Sequence, residues 1–120
     1  MKGLYEIAET VERTRGGVVI HIESDGIAFQ MGDLRCIASN GGGWDHLSVS
    51  RPDRVPRWDE MESMRKIVFT RDEYAYQLGV PEREHINCHP HCLHWWRSQG
   101  CEIPIPPKWM VGPISAEVRT

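Results

Sequence analysis

A chain of 120 residues, 40% hydrophobic and 26% charged, falls in the globular range and is long enough to bury one core without disulfide or metal staples. With 14 Lys and Arg against 17 Asp and Glu, the formal charge of -3 argues against a general binder of duplex nucleic acid, which needs a broad basic face to displace counterions. No stretch approaches the roughly twenty apolar residues of a membrane span, and Met1-Lys2-Gly3-Leu4-Tyr5-Glu6 lacks the apolar run of a signal peptide. The expectation is a single cytoplasmic domain over residues 1–120, with its cysteines as thiols or ligands rather than disulfides.

In chain order, Leu4, Ile7, Ala8 and Val11 recur at helical spacing and predict a short amphipathic helix or ordered arm that Gly16-Gly17 ends. Two β-branched runs, from Val18 to Glu23 and from Ile27 to Met31, flank Ser24-Asp25-Gly26 and predict a hairpin. Leu34 to Ala38 reads as the third strand of a meander. Asn40-Gly41-Gly42-Gly43 is a loop, and Trp44 to Ser50 alternates as a half-buried strand does. Arg51 to Arg57 is a proline-stiffened loop from which three arginines project. After it, Trp58, Met61, Met64, Arg65, Ile67 and Val68 mark one face of the main helix, with Asp59 and Glu60 in its first turn. Glu73 to Leu78 alternates again and Gly79-Val80-Pro81 closes that strand; Cys92 to Trp96 forms another beyond Pro90. From Ile103 to Gly112 the prolines exclude a helix or a central strand, so that segment should lie extended across the surface, anchored by Trp109 and Met110. Strands, one main helix and more strands predict an α+β fold: an antiparallel sheet packed against that helix, with an extended Pro-rich C-terminal tail.

The densest chemistry lies between His85 and Arg97, where four of the six histidines and two of the four cysteines fall within thirteen positions. Thiolate and imidazole suit zinc, and His85-x2-Cys88 or Cys92-x-His94 could supply ligand pairs. However, no second widely spaced pair completes a finger, and Pro90 drives the ligands apart. Buried cysteines and hydrogen-bonded histidines account for the irregular spacing better than zinc does, so no metal ligand is assigned. A catalytic set of Cys88 or Cys92 with His89 or His94, and Asp45 or Asn87 as orienter, can be assembled only on paper. There is no nucleophile elbow, H-E-x-x-H or phosphate loop leading into a helix, and no catalytic residue or cofactor is assigned.

A binding constellation is more coherent. Arg51, Arg54 and Arg57 offer planar forks for phosphate on a stiff loop, tryptophans and tyrosines offer flat faces for stacking, and Asn87 could read an adenine edge. The alternative is that Arg51 and Arg54 pair with Asp45, Asp53 or Asp59 while Trp44 and Trp58 are core.

The run Trp44-Asp45-His46-Leu47-Ser48-Val49-Ser50-Arg51-Pro52-Asp53-Arg54, then Pro56, Trp58, Glu60, Met61, Lys66 and Phe69 carry a resemblance. It continues through Asn87-x-His89-Pro90-x-Cys92-Leu93-His94-x-Trp96-Arg97, Ile103-Pro104-x-Pro106-Pro107 and Met110-Val111-Gly112. Together these residues resemble a family of small phage and prophage proteins. The layout is similar, more loosely, to phage Thoeris anti-defence sponge proteins, which sequester cyclic ADP-ribose-type immune signals and in some members cyclic oligonucleotides. That resemblance implies a homo-oligomer in the host cytoplasm that binds a small nucleotide-derived signal without cleaving it, with no membrane or duplex nucleic acid as partner. Arg54 and Asn87 match the family's ligand-binding Arg and Asn. The family's stacking aromatic has no match between Leu78 and Glu84, which leaves Tyr76 or a tryptophan in that role. The candidate ligand-binding set is Arg51, Arg54, Asn87, Tyr76, Trp96 and Arg97. The rivals are a zinc-stabilised interaction module and a nucleotide hydrolase using His89 or His94 as base.

Overall fold

The computed structural model describes residues 1–41, 43–70, 77–81, 91–98 and 110–113. Helix α1 (Leu4–Arg13) forms around Ile7 and Val11, one turn apart and both fully buried, with Glu6 in its first turn and Arg13 in its last to match the helix dipole. Gly16 turns the chain out of it at φ +83, a conformation that costs glycine little. Strand β1 (Gly17–Ile22) then starts so close to α1 that a Cβ on Gly17 would stand 2.1 Å from the Val11 carbonyl oxygen.

Strands β2 (Gly26–Met31), β3 (Leu34–Ser39) and β4 (Trp44–Ser50) follow as an antiparallel meander. A bulge between Val19 and His21 lets Val19 and Ile22 both pack on the core, while Val18 and Ile20 stand exposed on the other side. Along β2 to β4 the alternation read from the sequence holds: Ile27, Phe29, Cys36, Ala38, Leu47 and Val49 point to one face and are buried.

Helix α2 (Trp58–Val68) lays Met61, Met64 and Val68 on that same face. After it come β5 (Gln77–Pro81), β6 (Leu93–Ser98) and β7 (Met110–Pro113). Among the described residues the sheet has seven strands, all pairs antiparallel, in the order β1-β2-β3-β4-β6-β5-β7. Helix α1 rests on β1 and β2, α2 rests on β4, and the helices touch each other. The fold is α+β: the antiparallel sheet packs on one face against α2, the expected main helix of 11 residues, and against the 10-residue α1.

Two boundaries differ from the sequence expectation. Strand β5 runs through Gly79 and Val80 to Pro81 instead of ending before them, because β6 and β7 flank it and supply ladder partners; Pro81 is tolerated at its last position. Met110–Pro113, expected as extended backbone outside any central strand, pairs with β5 as edge strand β7. Residues 71–76 and 101–109, which include Tyr76, Cys101 and Trp109, lie outside the described residues.

Candidate functional site

Three constellations flank this sheet. The first is the loop between β4 and α2. Glu60 caps α2 by accepting the Arg57 backbone N–H at 2.9 Å, and its two oxygens accept Arg54 Nη1 at 2.6 Å and Nη2 at 3.1 Å. Arg51 joins with Nη1 to Glu60 at 2.9 Å and Nε to Asp53 at 2.9 Å. Burial works to raise the Glu60 carboxyl, but the Arg54 hydrogen bonds, the Arg57 N–H and the Arg54 and Arg51 charges outweigh it and lower its pKa to about 2. Hydrogen bonding to Asp53 raises Arg51, and the same bond lowers Asp53. Of the two readings of these arginines, pairing holds: Arg51 meets Asp53, and Arg54 meets Glu60 rather than Asp45, Asp53 or Asp59. The Arg54 fork is closed on a carboxylate in the bidentate geometry a phosphate would need.

The second constellation lies on the sheet face turned away from the helices. His46, Ser48, Ser50, His94 and Trp96 alternate with core residues on β4 and β6, and all five are buried. Ser39 Oγ lies 3.1 Å from His46 Nδ1, and His46 Nε2 lies 2.6 Å from His94 Nδ1, with the ring planes 13° apart. A hydrogen-bonded relay thus runs across β3, β4 and β6, in which the two imidazoles share one proton. When that proton sits on His46 Nε2, His46 Nδ1 accepts from the Ser39 hydroxyl; when it sits on His94 Nδ1, His46 Nδ1–H donates to Ser39. Sequence reasoning named His94 but missed Ser39 and His46, because their meeting depends on β6 pairing with β4 across 48 residues.

The third is a groove of about 370 Å³ on the same face above β1, β2 and β3, lined by Ile20, Ala28, Ile37, Arg35, Ser39 and the Glu23–Asp25 turn among others. Ala28, which lies opposite Ile37 in the β2–β3 register, is small and leaves room in the groove that Ile20 and Ile37 also line. Ser39 belongs to both groove and relay.

The remaining candidates divide. Trp95 belongs to the helix-side core, donating Nε1–H to the Met61 carbonyl at 3.1 Å and meeting Trp58 edge-on at 5.4 Å. Its neighbour Trp96 points to the far face with only 1% exposed, so its ring is not open for a ligand to stack on. Arg97 is half-buried and lies opposite Asp45. Asn87 and Tyr76 lie outside the described residues, as do His85, Cys88 and His89. Within the His/Cys stretch, exposed His91 takes φ 59 while Cys92 and His94 are buried. Among the described residues no three His, Cys, Asp or Glu side chains converge as a metal would require.

No curated protein and no solved structure matches the chain. A family match covers residues 36–100, from Cys36 in β3 to just past β6. It takes in the arginine loop, α2 and all three members of the relay, and leaves out α1, β1, β2 and Arg35. The matched segment spans more than half of the chain, and the protein belongs to DUF7694, a domain family of unknown function.

Proposed function

We propose that this protein, phage- or prophage-encoded, binds a small nucleotide-derived signal of the cyclic nucleotide or cyclic ADP-ribose class and sequesters it, as a homo-oligomer, without cleaving it. The observation that carries the reading is the groove on the far face: its volume lies in the range of small-molecule sites, and it joins an apolar floor to a few polar groups. The ligand class comes from the resemblance of the Trp44-to-Gly112 motifs to phage sponge proteins. Sequestration asks for tight, pre-organised binding, which a rigid sheet surface provides at low entropic cost.

A thermal-shift screen against cyclic ADP-ribose isomers and cyclic di- and trinucleotides tests this. A ligand at about a hundred times its Kd adds about 2.7 kcal/mol to the folded state and should raise the midpoint by several degrees. No shift across the panel would contradict the reading.

A nucleotide hydrolase is the second reading, and one observation favours it: the Ser39-His46-His94 relay has the order of nucleophile, base and orienting group. Cleaved ligand that is lost on His46→Gln substitution would move the function there.

A further inference from the structure

The groove has two chemically different ends, and strand register sets their order. On β3, Arg35 lies opposite Gln30 of β2, Ile37 opposite Ala28, and Ser39 opposite Gly26. These alternate residues share the far face, so the groove runs from a cationic end over an apolar middle to a polar end. Arg35 and Ser39 are four residues apart, roughly 13–14 Å along the strand.

At the cationic end, Arg35 Nε donates to Gln30 Oε1 at 2.9 Å, which fixes the guanidinium plane. Its two terminal nitrogens make no hydrogen bond or ion pair among the described residues, so an oriented fork faces the groove. Arg51 and Arg54 differ in this respect, since their forks are held by Glu60 and Asp53. At the other end stand the Ser39 hydroxyl, backed by His46, and the carboxylates of Asp25 and of Glu23, whose Oε1 already lies 3.0 Å from Nε2 of the groove-lining His21. Asp25 is packed against Gly41, where a Cβ would stand 2.7 Å from its Oδ2. Carboxylates accept hydrogen bonds from hydroxyl or amino groups and repel a second anion, so charge complementarity sets the direction of the occupant.

We infer that the groove binds a nucleoside phosphate lengthwise, with the phosphate on Arg35, the apolar faces of the base or sugar over Ala28 between Ile20 and Ile37, and hydroxyl or amino donors at Asp25, Glu23 and Ser39. This rests on the sequestration reading and moves its anion anchor from Arg54 to Arg35. A phosphate on Arg54 would have to displace Glu60 and leave that half-buried carboxylate without its strongest partner.

The test is calorimetry of the full chain with adenosine 5'-monophosphate, adenosine and inorganic phosphate, together with amide chemical-shift mapping of the wild type. The expected result is that the monophosphate binds at least tenfold more tightly than adenosine. Its shifts should centre on β2 and β3 from Gly26 to Ser39, and Arg35→Ala should remove the tenfold advantage. Ala28→Phe should fill the hollow and abolish binding. Arg54→Ala should leave the affinity within about twofold, reading as a fold variant rather than a binding variant. Shifts centred on the Arg51-to-Arg57 loop, or unchanged affinity in both Arg35→Ala and Ala28→Phe, would overturn the inference even if cyclic nucleotides bind and the sequestration reading stands. Binding of the monophosphate in the groove with no binding of any cyclic signal would uphold the inference and remove the sequestration reading. No binding of the monophosphate overturns the inference, whereas the sequestration reading falls only if no cyclic signal binds in the thermal-shift screen.

Discussion

Glu60 shows how a single residue redirects a loop that looks built for anions. It was legible in the sequence as a first-turn carboxylate, yet its spatial neighbours Arg51 and Arg54 were not, since nothing in a linear pattern tells a projecting arginine from one folded back onto a helix start. Glu60→Gln should cost about 1–2 kcal/mol at neutral pH, allowing for the solvent that reaches the cluster. The sign with pH is set by the lowered carboxyl. Its pKa falls from an ordinary 4.5 to about 2 on folding, so its stabilisation is full above the unfolded value and is lost as pH falls through the folded one. Urea melts of wild type and variant should therefore differ by a constant amount down to about pH 5, with the gap shrinking from there toward about pH 2. A gap as large at about pH 2 as at about pH 7 would refute this origin. The two adjacent tryptophans make a second residue-scale case. The alternation of a strand assigned them to opposite faces, and they occupy opposite faces, but burial of both was not foreseen. Trp95→Phe loses a hydrogen bond to the Met61 carbonyl, whereas Trp96 Nε1 has no hydrogen-bond partner among the described residues. Trp95→Phe should be the more destabilising by about 1 kcal/mol, measured as the difference in urea midpoints. Equal losses would mean the indole bond to α2 contributes nothing.

At the scale of elements, period alone carried most of the fold. β1 to β4, α2 and β6 fall within one or two residues of where alternation, helical spacing and the Pro56-to-Asp59 start signal put them. The arm from Leu4 onward resolved into a helix because Ile7 and Val11 find a sheet to bury against, which supplies the stabilisation a ten-residue helix lacks alone. The differences fell where local composition opposed tertiary pairing: Gly79 to Pro81 read as a stop and the Ile103-to-Gly112 tail as extended surface backbone, whereas Gln77–Pro81 and, at the sheet edge, Met110–Pro113 are strands because neighbours complete their ladders. Gly17 is the sharpest prediction at this scale. The junction of α1 and β1 leaves no room for a side chain, so Gly17→Ala must push the strand off the helix and should cost about 1–3 kcal/mol, seen as a lowered melting temperature. An unchanged melt would mean that the junction is not packed as described.

For the whole molecule, strand order was the part the sequence could not reveal. β6 inserts between β4 and β5, and only that insertion brings His94 to His46, completes the relay with Ser39, and separates a polar far face from the helix-covered core. The groove was equally hidden, being made by the small Ala28 in β2 and by residues of three strands that carry no motif. The irregular His/Cys spacing leads to the expectation that folding needs no metal. A chelator should leave the melting curve unchanged, and loss of structure together with stoichiometric zinc in the purified protein would refute it. The proposed function requires that the molecule hold a nucleotide-derived signal without transforming it. The most direct measurement is to incubate the protein with the ligand that raises its melting temperature most, denature the complex, and chromatograph what is released. Recovery of one equivalent of intact ligand per site, unchanged after prolonged incubation, is the predicted result. Recovery of a cleaved product would contradict it and transfer the function to the Ser39-His46-His94 relay.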